Sequence, residues 1–399
     1  MSRLDELITE LCPDGVEYKK IKQVYKRLKG TPITAGKMKE IDNPNGEIRI
    51  FAGGKTVINA MEKDIPNANI TRVPAVLVQS RGVIDAVYYD KPFTFKNEMW
   101  AYTADNEVAV KYLYYVLKSN LSYFRKAASG MGSLPQISLR VTEEFVIPVP
   151  PLPVQQEIVR ILDNFTELTA ELTAELTSRR KQYEYFRDLL LTFGDEVEWI
   201  KLGEIADVTK LAGFEFTEHV RYSDSGKIIA LRGLNVKDGR LDLSQVKYID
   251  GSNFQKLSRS KLIIGDILFT YVGTVGQVAL IDKNDTYYLA PNVARIRFAA
   301  KSINPNFMRY YFQTNHFVRK QINRYMESSS MKNLTMENIR KFLVPIPPLE
   351  EQERIVAILD RFDALCNDLT SGIPAEIEAR QKQYEYYRDK LLSFKEVKA

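Results

Sequence analysis

The chain has 399 residues, of which 45% are hydrophobic and 27% charged, so it is long enough for two or three domains with separate cores. No apolar run reaches the roughly 18 residues that span a bilayer, and the charged N-terminus MSRLDELITE is unlike a secretory signal. The net charge of +5 permits a nucleic-acid partner without requiring one.

Cysteine and histidine are scarce, which narrows the possible chemistry. Cys12 and Cys366 are the only cysteines, and His219 and His316 are the only histidines. This composition excludes a disulfide framework and a Cys-rich zinc site, and it indicates a reducing, cytoplasmic location. Since His-based catalysis and metal binding are also almost excluded, we predict no catalytic, metal or cofactor site in this chain.

Two short motifs superficially resemble catalytic sites. Asp14, Glu17 and Lys19 have the residue types of a nuclease metal site, but the acids are three residues apart at the start of the chain and not on two paired strands. Residues 273–276, Gly-Thr-Val-Gly, lack the Gly-x-Gly-x-x-Gly spacing of a phosphate-binding loop. Neither motif therefore predicts catalysis.

The first variable segment, residues 12–145, follows a short apolar stub at residues 4–11. The segment is rich in Tyr, Phe, Gly and Asn, with β-like runs at 75–78 and 145–147 and a helical stretch near 107–127. Short strands separated by Gly and Asn, together with segregated helices, predict an α+β domain.

Basic and amide side chains cluster with aromatic residues in the predicted loops of this domain. Arg, Asn and Gln match the donors and acceptors of base edges, whereas Lys mainly contacts phosphate. For any one of these residues a solvated surface role remains the alternative. The candidate DNA contacts here are Lys37, Lys55, Arg72, Gln79, Arg81, Lys96 and Asn97.

A long helix is predicted from Val154 to Phe193. Apolar residues recur there in steps of three and four, which places them on one helix face. The prolines before it suit a first helical turn, and Gly194 suits a helix end. About 40 residues would form a rod of roughly 60 Å whose apolar stripe needs a partner. The stripe includes Ile158, Ile161, Phe165, Leu168, Leu172, Leu176 and Tyr183.

Residues 168–176 of this helix contain a literal repeat, Thr-Ala-Glu-Leu, twice. One such unit would add about 6 Å and rotate the following residues by about 40° beyond a full turn. One base-pair step rotates by roughly 35°, so the repeat would act as a ruler if the domains touch DNA. Helix-forming filler is the alternative that fits the same residue types.

The second variable segment, residues 195–342, has the same character as the first. It contains β-like runs at 261–264 and 266–270 and a helical stretch near 305–325. It therefore predicts a second α+β domain. Its candidate DNA contacts are Lys210, Arg232, Asn235, Lys237, Tyr271, Gln277, Asn292, Lys332 and Asn333.

The segments that follow the two variable domains are copies of one another. Residues 146–165 return as 343–362, and residues 181–190 return as 382–391, with Ser371-Gly372-Ile373-Pro374 as an extra break in the second copy. The second apolar stripe includes Ile355, Ile358, Phe362 and Tyr384. An antiparallel pairing of the two helical copies would bury both apolar stripes. The alternative is that each helix covers only the sheet of its own domain.

These copies carry a resemblance to the specificity subunit of type I restriction–modification enzymes. Its most specific features are the paired Pro-Pro-Leu-x-x-Gln-x-x-Ile-Val blocks at 150–159 and 347–356, with Gln155 and Gln352, and the paired Lys-Gln-Tyr-Glu-Tyr blocks. The Thr-Ala-Glu-Leu repeat resembles that of the type IC subgroup. The resemblance covers the whole chain.

The resemblance implies a pseudo-two-fold α+β architecture in which two α/β target-recognition domains are separated by two long helices packed as an antiparallel coiled coil. The recognition domains are expected at 1–148 and 195–345, and the helical spacers at 149–194 and 346–399. Each domain would read one half of an asymmetric bipartite target in double-stranded DNA.

The resemblance also implies partners. The helices would dock two methyltransferase subunits, and a motor–nuclease subunit would join them. The methyl donor, ATP and magnesium belong to those partners, so this chain would be a non-catalytic subunit without a cofactor. A stand-alone coiled-coil DNA-binding regulator or scaffold is the second hypothesis.

Overall fold

The computed structural model describes residues 2–54, 56–128, 134–326, 333–368 and 370–397. The chain divides into two units: unit 1 contains Met1–Thr173 and Glu376–Ala399, and unit 2 contains Ala174–Ala375. Each unit therefore holds one α+β domain together with parts of both helical segments. The domain boundaries expected after residues 148, 194 and 345 follow changes in sequence character and stay predictions.

The helices are three to 13 residues long except in the two long segments. They are α1 (Arg3–Leu11), α2 (Ile21–Val24), α3 (Ala35–Ile41), α4 (Glu107–Ser119), α5 (Leu121–Lys126), α6 (Leu139–Glu143), α7 (Leu152–Leu190), α8 (Leu202–Ile205), α9 (Gly213–His219), α10 (Pro305–Tyr311), α11 (Asn315–Phe317), α12 (Asn323–Tyr325), α13 (Met336–Arg340), α14 (Leu349–Asn367) and α15 (Ile373–Leu391). A π-helical turn, Val318–Ile322, joins α11 to α12.

The strands are two to six residues long. They are β1 (Glu17–Lys20), β2 (Lys26–Leu28), β3 (Ile48–Phe51), β4 (Val57–Ala60), β5 (Ala75–Gln79), β6 (Asp85–Tyr89), β7 (Phe93–Phe95), β8 (Trp100–Thr103), β9 (Val146–Val149), β10 (Glu198–Lys201), β11 (Ala206–Lys210), β12 (Ile229–Leu231), β13 (Val236–Lys237), β14 (Arg240–Leu241), β15 (Ile267–Thr270), β16 (Val278–Leu280), β17 (Tyr287–Leu289), β18 (Val293–Phe298) and β19 (Leu343–Ile346).

The main sheet of unit 1 has the order β2–β8–β5–β6, with antiparallel neighbours. All five residues of β5 are buried, as a short continuous apolar run predicts. Val76 and Val78 lie in a core with residues of α4, whereas Ala75 and Leu77 lie in a core with Phe93 of a second sheet, β4–β3–β7. The sheet is thus covered on both faces.

Unit 2 repeats this arrangement with the order β11–β18–β15–β16, again antiparallel. In both units a two-stranded antiparallel sheet, β1–β9 or β10–β19, brings the start of the domain beside the strand that leads into the long helix. Unit 2 differs in its smaller sheets, the parallel pair β12–β17 and the hairpin β13–β14. The two predicted α+β domains are confirmed.

One predicted strand forms only at its start, where Lys261 makes an isolated antiparallel bridge with Tyr288 and the N–H of Leu262 donates to the carbonyl oxygen of Tyr287 at 3.1 Å. Residues 261–264 read as a β-like run, but they lead into a turn in front of β15. Gly265 has a φ of +91°, a left-handed value that favours glycine. The Asp266 carboxylate accepts the N–H of Ile263 at 2.9 Å, so a side chain takes the hydrogen bond that a neighbouring strand would take.

The two helical copies differ in continuity, as the sequence predicts. α7 is a single helix, whereas the second copy breaks between α14 and α15. A Cβ on Gly372 would lie 2.6 Å from the carbonyl oxygen of Ala364. Asp368 accepts hydrogen bonds from Ser371 and Thr370, which hold the pKa of its carboxyl well below the usual value. α7 ends at Leu190, four residues before the glycine expected to end it.

The helical copies pack against each other through matched aromatic stacks. In unit 1 the rings of Phe165 and Tyr387 are 5.6 Å apart, and in unit 2 those of Phe186 and Phe362 are 5.7 Å apart. In unit 2, Arg180 also donates to the carbonyl oxygen of Cys366 at 3.5 Å. Residue numbers therefore rise along one helix as they fall along the other, which confirms the antiparallel pairing.

The C-terminal tail packs on the start of unit 1. The N–H of Val16 donates to the carbonyl oxygen of Lys395 at 2.9 Å, and the N–H of Val397 donates to that of Val16 at 3.0 Å. The Tyr18 hydroxyl donates to the carbonyl oxygen of Phe394 at 2.8 Å. Because Gly15 lies in this contact with a φ of +115°, a side chain there has no room.

We predict that Gly15→Ala destabilises unit 1. The added Cβ would lie 2.3 Å from the Lys395 carbonyl oxygen, and alanine is strained at this φ, so we expect a loss of about 1–3 kcal/mol. The midpoint of thermal unfolding measures this loss. Gly36→Ala in α3 is the control, since its Cβ would have no atom closer than 4.0 Å. Equal midpoints for Gly15→Ala and wild type would show that the tail contact is dispensable.

Candidate nucleic-acid interface

A tight loop, residues 80–84, joins β5 to β6 in unit 1. Gly82 has a φ of +79°, which favours glycine, and its N–H donates to the carbonyl oxygen of Pro135 at 2.9 Å. Arg81 forms an isolated antiparallel bridge with Gln136. The backbone of the loop is therefore held from one side, while the Arg81 side chain is exposed.

Unit 2 has an equivalent loop, residues 271–277, between β15 and β16. Gly273 has a φ of +80°, within a degree of the glycine in the first loop. Val272 forms an isolated antiparallel bridge with Asn333, in the place that the Arg81 bridge has in unit 1. The two units thus present the same backbone frame with unlike side chains.

The loop of unit 1 borders a cleft of about 480 Å³. Arg81 and Lys96 line it, and no acidic partner for Arg81 lies among the described residues. Lys96 is 2.9 Å from the Glu98 carboxylate. Burial alone would raise the pKa of Glu98, but the Lys96 hydrogen bond and backbone hydrogen bonds outweigh burial and lower it. Within the described residues, a cationic side chain thus lacks a carboxylate partner at this cleft.

The loop of unit 2 borders a cleft of about 440 Å³ that combines aromatic, basic and amide side chains. The rings of Phe216 and Tyr222 are 5.4 Å apart, and Arg232 and Asn292 also line the cleft. Aromatic faces stack on bases, and Arg and Asn hydrogen-bond to base edges. The cleft therefore has the side chains expected of a base-reading surface.

Two predicted base contacts form hydrogen bonds within the protein. Asn235 is fully buried, its oxygen accepts the N–H of Arg232 at 3.0 Å, and its nitrogen donates to the carbonyl oxygens of Asp242 and Gln245. Gln277 accepts the N–H of Asp238 through its side-chain oxygen at 2.9 Å. The Asn235 amide in particular is engaged in shaping the loop and is not available to a base.

Two predicted contacts of unit 1 form surface ion pairs. Lys37 lies 3.1 Å from Glu40, and Arg72 lies 2.6 Å from Glu62. All four side chains are exposed, and such pairs contribute only about 0–1 kcal/mol. These cations are therefore held weakly and remain able to contact phosphate.

The remaining predicted contacts are scattered. Gln79 is buried at the end of β5, and Tyr271 is nearly buried with the Lys210 ammonium 5.6 Å from its ring. Asn97 and Lys237 are exposed, while the Asn333 side-chain oxygen is buried without a hydrogen-bond partner. Lys55 and Lys332 lie outside the described residues.

Sequence reasoning missed the aromatic side of the unit 2 cleft. Phe216 and Tyr222 line it together with Leu234, yet none was predicted as a contact. Nearby Phe214 is 71% exposed, and a large apolar residue in the polar helix sequence Gly-Phe-Glu-Phe-Thr-Glu-His was the available signal. Aromatic residues are so often core residues that the sequence alone favours burial.

The predicted spacer residues lie in the helical packing. Two of them, Gln155 and Gln352, make equivalent hydrogen bonds in the two copies. The Gln155 amide nitrogen donates to the carbonyl oxygen of Pro150 at 2.8 Å, and that of Gln352 donates to Pro347 at 2.8 Å. Each glutamine thus fixes the proline-rich entry to its helix, which gives the repeated Pro-Pro-Leu-x-x-Gln block a structural function.

The apolar spacer residues are buried to different degrees. Ile158 and Ile355 lie in the cores of their units, and Ile161 and Phe362 pack against these cores. Burial raises the pKa of Tyr183 to about 12. The guanidinium of Arg187 lies 5.7 Å from the Tyr183 ring, and that of Arg388 lies 5.7 Å from the Tyr384 ring. The partly buried members are Phe165, Leu168, Leu172, Leu176 and Ile358.

Residues that could support metal or thiol chemistry are not grouped. No cluster of three His, Cys, Asp or Glu side chains that could hold a metal lies within residues 2–54, 56–128, 134–326, 333–368 and 370–397. Cys12 and Cys366 are buried free thiols, and burial raises the pKa of each. Glu17 and Lys19, from the nuclease-like motif, pair with each other on β1.

Residues 13–179 and 194–379 match the family described as type I restriction modification DNA specificity domain. The chain belongs to this family. It is 36% identical over 301 residues to the type I restriction enzyme EcoR124I/EcoR124II specificity subunit of Escherichia coli, which covers 73% of this chain and 72% of that relative. It is also 34% identical over 262 residues to the putative specificity subunit S.HindORF215P of Haemophilus influenzae, covering 63% and 64% respectively.

The fold of the specificity subunit is also similar to that of solved structures. The crystal structure of a type I restriction–modification S subunit from M. genitalium matches with a TM-score of 0.58 at 16% identity, over 95% of this chain and 96% of that chain. The family match and the Escherichia coli relative assign the chain as a DNA specificity subunit, the non-catalytic part of type I systems. The family assignment supports this function over a stand-alone regulator or scaffold. No described helix is both long and apolar enough to cross a membrane.

Proposed function

We propose that each unit of this specificity subunit reads one half of an asymmetric, bipartite sequence in duplex DNA. The observation that carries the proposal is the pair of equivalent loops. Their glycines share one backbone conformation, but Arg81 in unit 1 corresponds to Val272 in unit 2. Because unlike side chains on one frame present different hydrogen-bonding groups, the two units select different bases.

Reading divides between two kinds of contact. Lys and Arg on phosphates give salt-dependent affinity, whereas side chains in the clefts choose the bases. The guanidinium of Arg81 is a planar fork that matches O6 and N7 of guanine, and Asn292 offers the paired groups that match adenine. In unit 2, the rings of Phe216 and Tyr222 add stacking surface.

We predict that Arg81→Ala relaxes the choice of base at one position of one half-site. Losing a bidentate contact costs about 1–3 kcal/mol, which corresponds to roughly 5- to 150-fold in discrimination. The change is measured by mapping methylated sites in DNA from cells that express the full chain with its modification subunit. Lys91→Ala, an exposed residue beyond the far end of β6, is the control. Changes in both half-sites would contradict separate reading by the two units.

We further propose that α7 sets the spacing between the half-sites. α7 is continuous through both Thr-Ala-Glu-Leu units, and the leucines of this stretch are half-buried. A continuous helix transmits a change of length as a fixed translation and rotation, since each residue adds about 1.5 Å and 100°. The repeat is therefore the natural place for a change of spacing that leaves both reading surfaces intact.

Deletion of Leu172–Glu175 should shorten the spacer by one to two base pairs and leave both half-sites unchanged. The deletion removes about 6 Å and about 40° of rotation, compared with about 3.4 Å and 35° for one base pair. Mapping of methylated sites gives both quantities. Thr173→Ala/Glu175→Ala, which keeps the helix length, should keep the spacer. A changed half-site in the deletion variant would refute the ruler function of α7.

We also propose that the helices dock two methyltransferase subunits, to which a motor–nuclease subunit is added, with the methyl donor, ATP and magnesium bound by those partners. The support is a repeated exposed aromatic pair. Tyr185 and Tyr386 are 64% and 63% exposed, and each lies edge-on to the ring of the next residue at 5.4 and 5.3 Å. Two equivalent surfaces suit two copies of one partner.

Tyr185→Ser should reduce the number of bound methyltransferase subunits from two to one, and Tyr185→Ser/Tyr386→Ser should abolish stable binding. Native mass spectrometry of the co-expressed complex measures this number. Ile264→Ser is the control, because Ile264 is an apolar residue with similar exposure, 58%, outside the helices. Two subunits on the double variant would exclude this docking surface.

A further inference from the structure

The two units share a charge pattern that the proposed reading surfaces do not use. None of residues 286–326 is acidic, and seven of them are Lys or Arg; none of residues 108–142 is acidic, and five are Lys or Arg. The equivalent part of the two segments runs from α4 through α5 in unit 1 and from α10 through α12 in unit 2, whereas residues 286–304 have no acid-free counterpart in unit 1. An acid-free segment repeated in both units indicates a surface kept positive.

Some of these cations are used inside the fold. In unit 2, Arg295 pairs with Asp207, Arg297 with Asp266 and Arg309 with Asp360. In unit 1 the pairs are Lys111 with Asp163 and Lys118 with Asp85. These five pairs therefore have structural roles in packing the helices and strands.

The remaining cations concentrate at the ends of short helices. Arg319 and Lys320 lie on the π-helical turn and Arg324 on α12, while Arg125 and Lys126 end α5. All five are exposed, and none has an acidic partner among the described residues. Cations at a helix C-terminus gain only about 0.3–1 kcal/mol from the helix dipole, which does not explain the lack of acids along the whole segment.

These helix ends pack against the equivalent reading loops. In unit 2, a Cβ on Gly276 would lie 2.5 Å from the Cδ1 atom of Ile322, so the π-helical turn lies directly against loop 271–277. In unit 1, the Arg125 side chain donates to the carbonyl oxygen of Ile84 in loop 80–84 at 3.4 Å. In both units, unpaired cations therefore flank the loop that carries the candidate base contacts.

We propose that these helix ends are phosphate-binding surfaces that hold the DNA backbone beside each reading loop. The contacts are Arg319, Lys320 and Arg324 in unit 2 and Arg125 and Lys126 in unit 1. The proposal rests on the proposed reading of duplex DNA by the two units. Phosphate contacts fix register without carrying sequence information, so these residues set affinity and position, and the loops set the choice of base.

The test measures binding of the full chain to a duplex of random sequence at 50–200 mM KCl. Arg319→Gln/Lys320→Gln should reduce the slope of log K against log salt by about 1.8, because each lost phosphate contact removes about 0.9. The ratio of the wild-type affinity to the variant affinity should therefore fall roughly tenfold between the lowest and highest salt concentrations. Arg125→Gln/Lys126→Gln should have the same effect for unit 1.

The matched controls remove two charges at the opposite end of each sheet. Lys283 and Lys301 are exposed beyond the far ends of β16 and β18. In unit 1, Lys26 begins β2 at the same end of the sheet, and Lys91 lies beyond the far end of β6. Glutamine at both positions of either pair should leave the salt slope unchanged. Sequence discrimination, measured as methylation of target over random sites, should stay constant in the helix-end variants.

The possible failures are distinguishable. If the wild-type chain shows no salt-dependent binding to duplex DNA, the proposed DNA reading fails first. If wild type binds but the helix-end variants keep its slope, only the phosphate-binding surface is excluded. Variants that keep the slope and lose methyltransferase subunits in native mass spectrometry would assign the surface to a protein partner. Equal unfolding midpoints for variant and wild type exclude loss of folding as the cause of a changed slope.

Discussion

The structure depends on the mutual burial of two apolar helical stripes. A helix cannot bury its own apolar stripe. The matched stacks of Phe165 on Tyr387 and of Phe186 on Phe362 show that the stripe of each helical copy is buried against the other copy. Both stacks place a residue of the first repeated block against one of the second. Because the same two blocks supply both contacts, one duplicated sequence produces a self-complementary pairing, and each α+β domain is attached to a defined place on it.

The duplication separates what is constant from what varies. The sheet order, the loop glycines and the glutamines that fix each proline-rich helix entry recur in both units. The residues beside the loop glycines and those lining the clefts do not recur. The constant parts thus stabilise the fold, so the side chains beside the loop glycines and in the clefts can differ without loss of the fold. This separation suits a subunit that selects a DNA sequence.

Several sequence-based predictions succeeded because they rest on local physical rules. Periodic apolar residues gave the long helices, Ser371–Pro374 gave the break in the second copy, and exact repetition gave two similar domains. The structure departs from the simple sequence patterns where hydrogen bonds within one loop decide the outcome. Residues 261–264 are strand-like, but Asp266 and Gly265 turn the chain. Asn235 is of a base-reading type, but three backbone groups of its own loop engage its amide.

The sequence by itself determined the two α+β domains, the long helices and their pairing, because these follow from periodicity and repetition along the chain, and its repeated motifs carried the resemblance to the family. Only the tertiary structure decided which polar side chains are free. Arg81 is exposed and has no acidic partner in the part of the chain that the structure describes, whereas Asn235 is enclosed and Phe216 lines a cleft. Residue type gives the hydrogen-bonding capacity of a side chain, but whether that capacity is already used depends on residues brought near by folding.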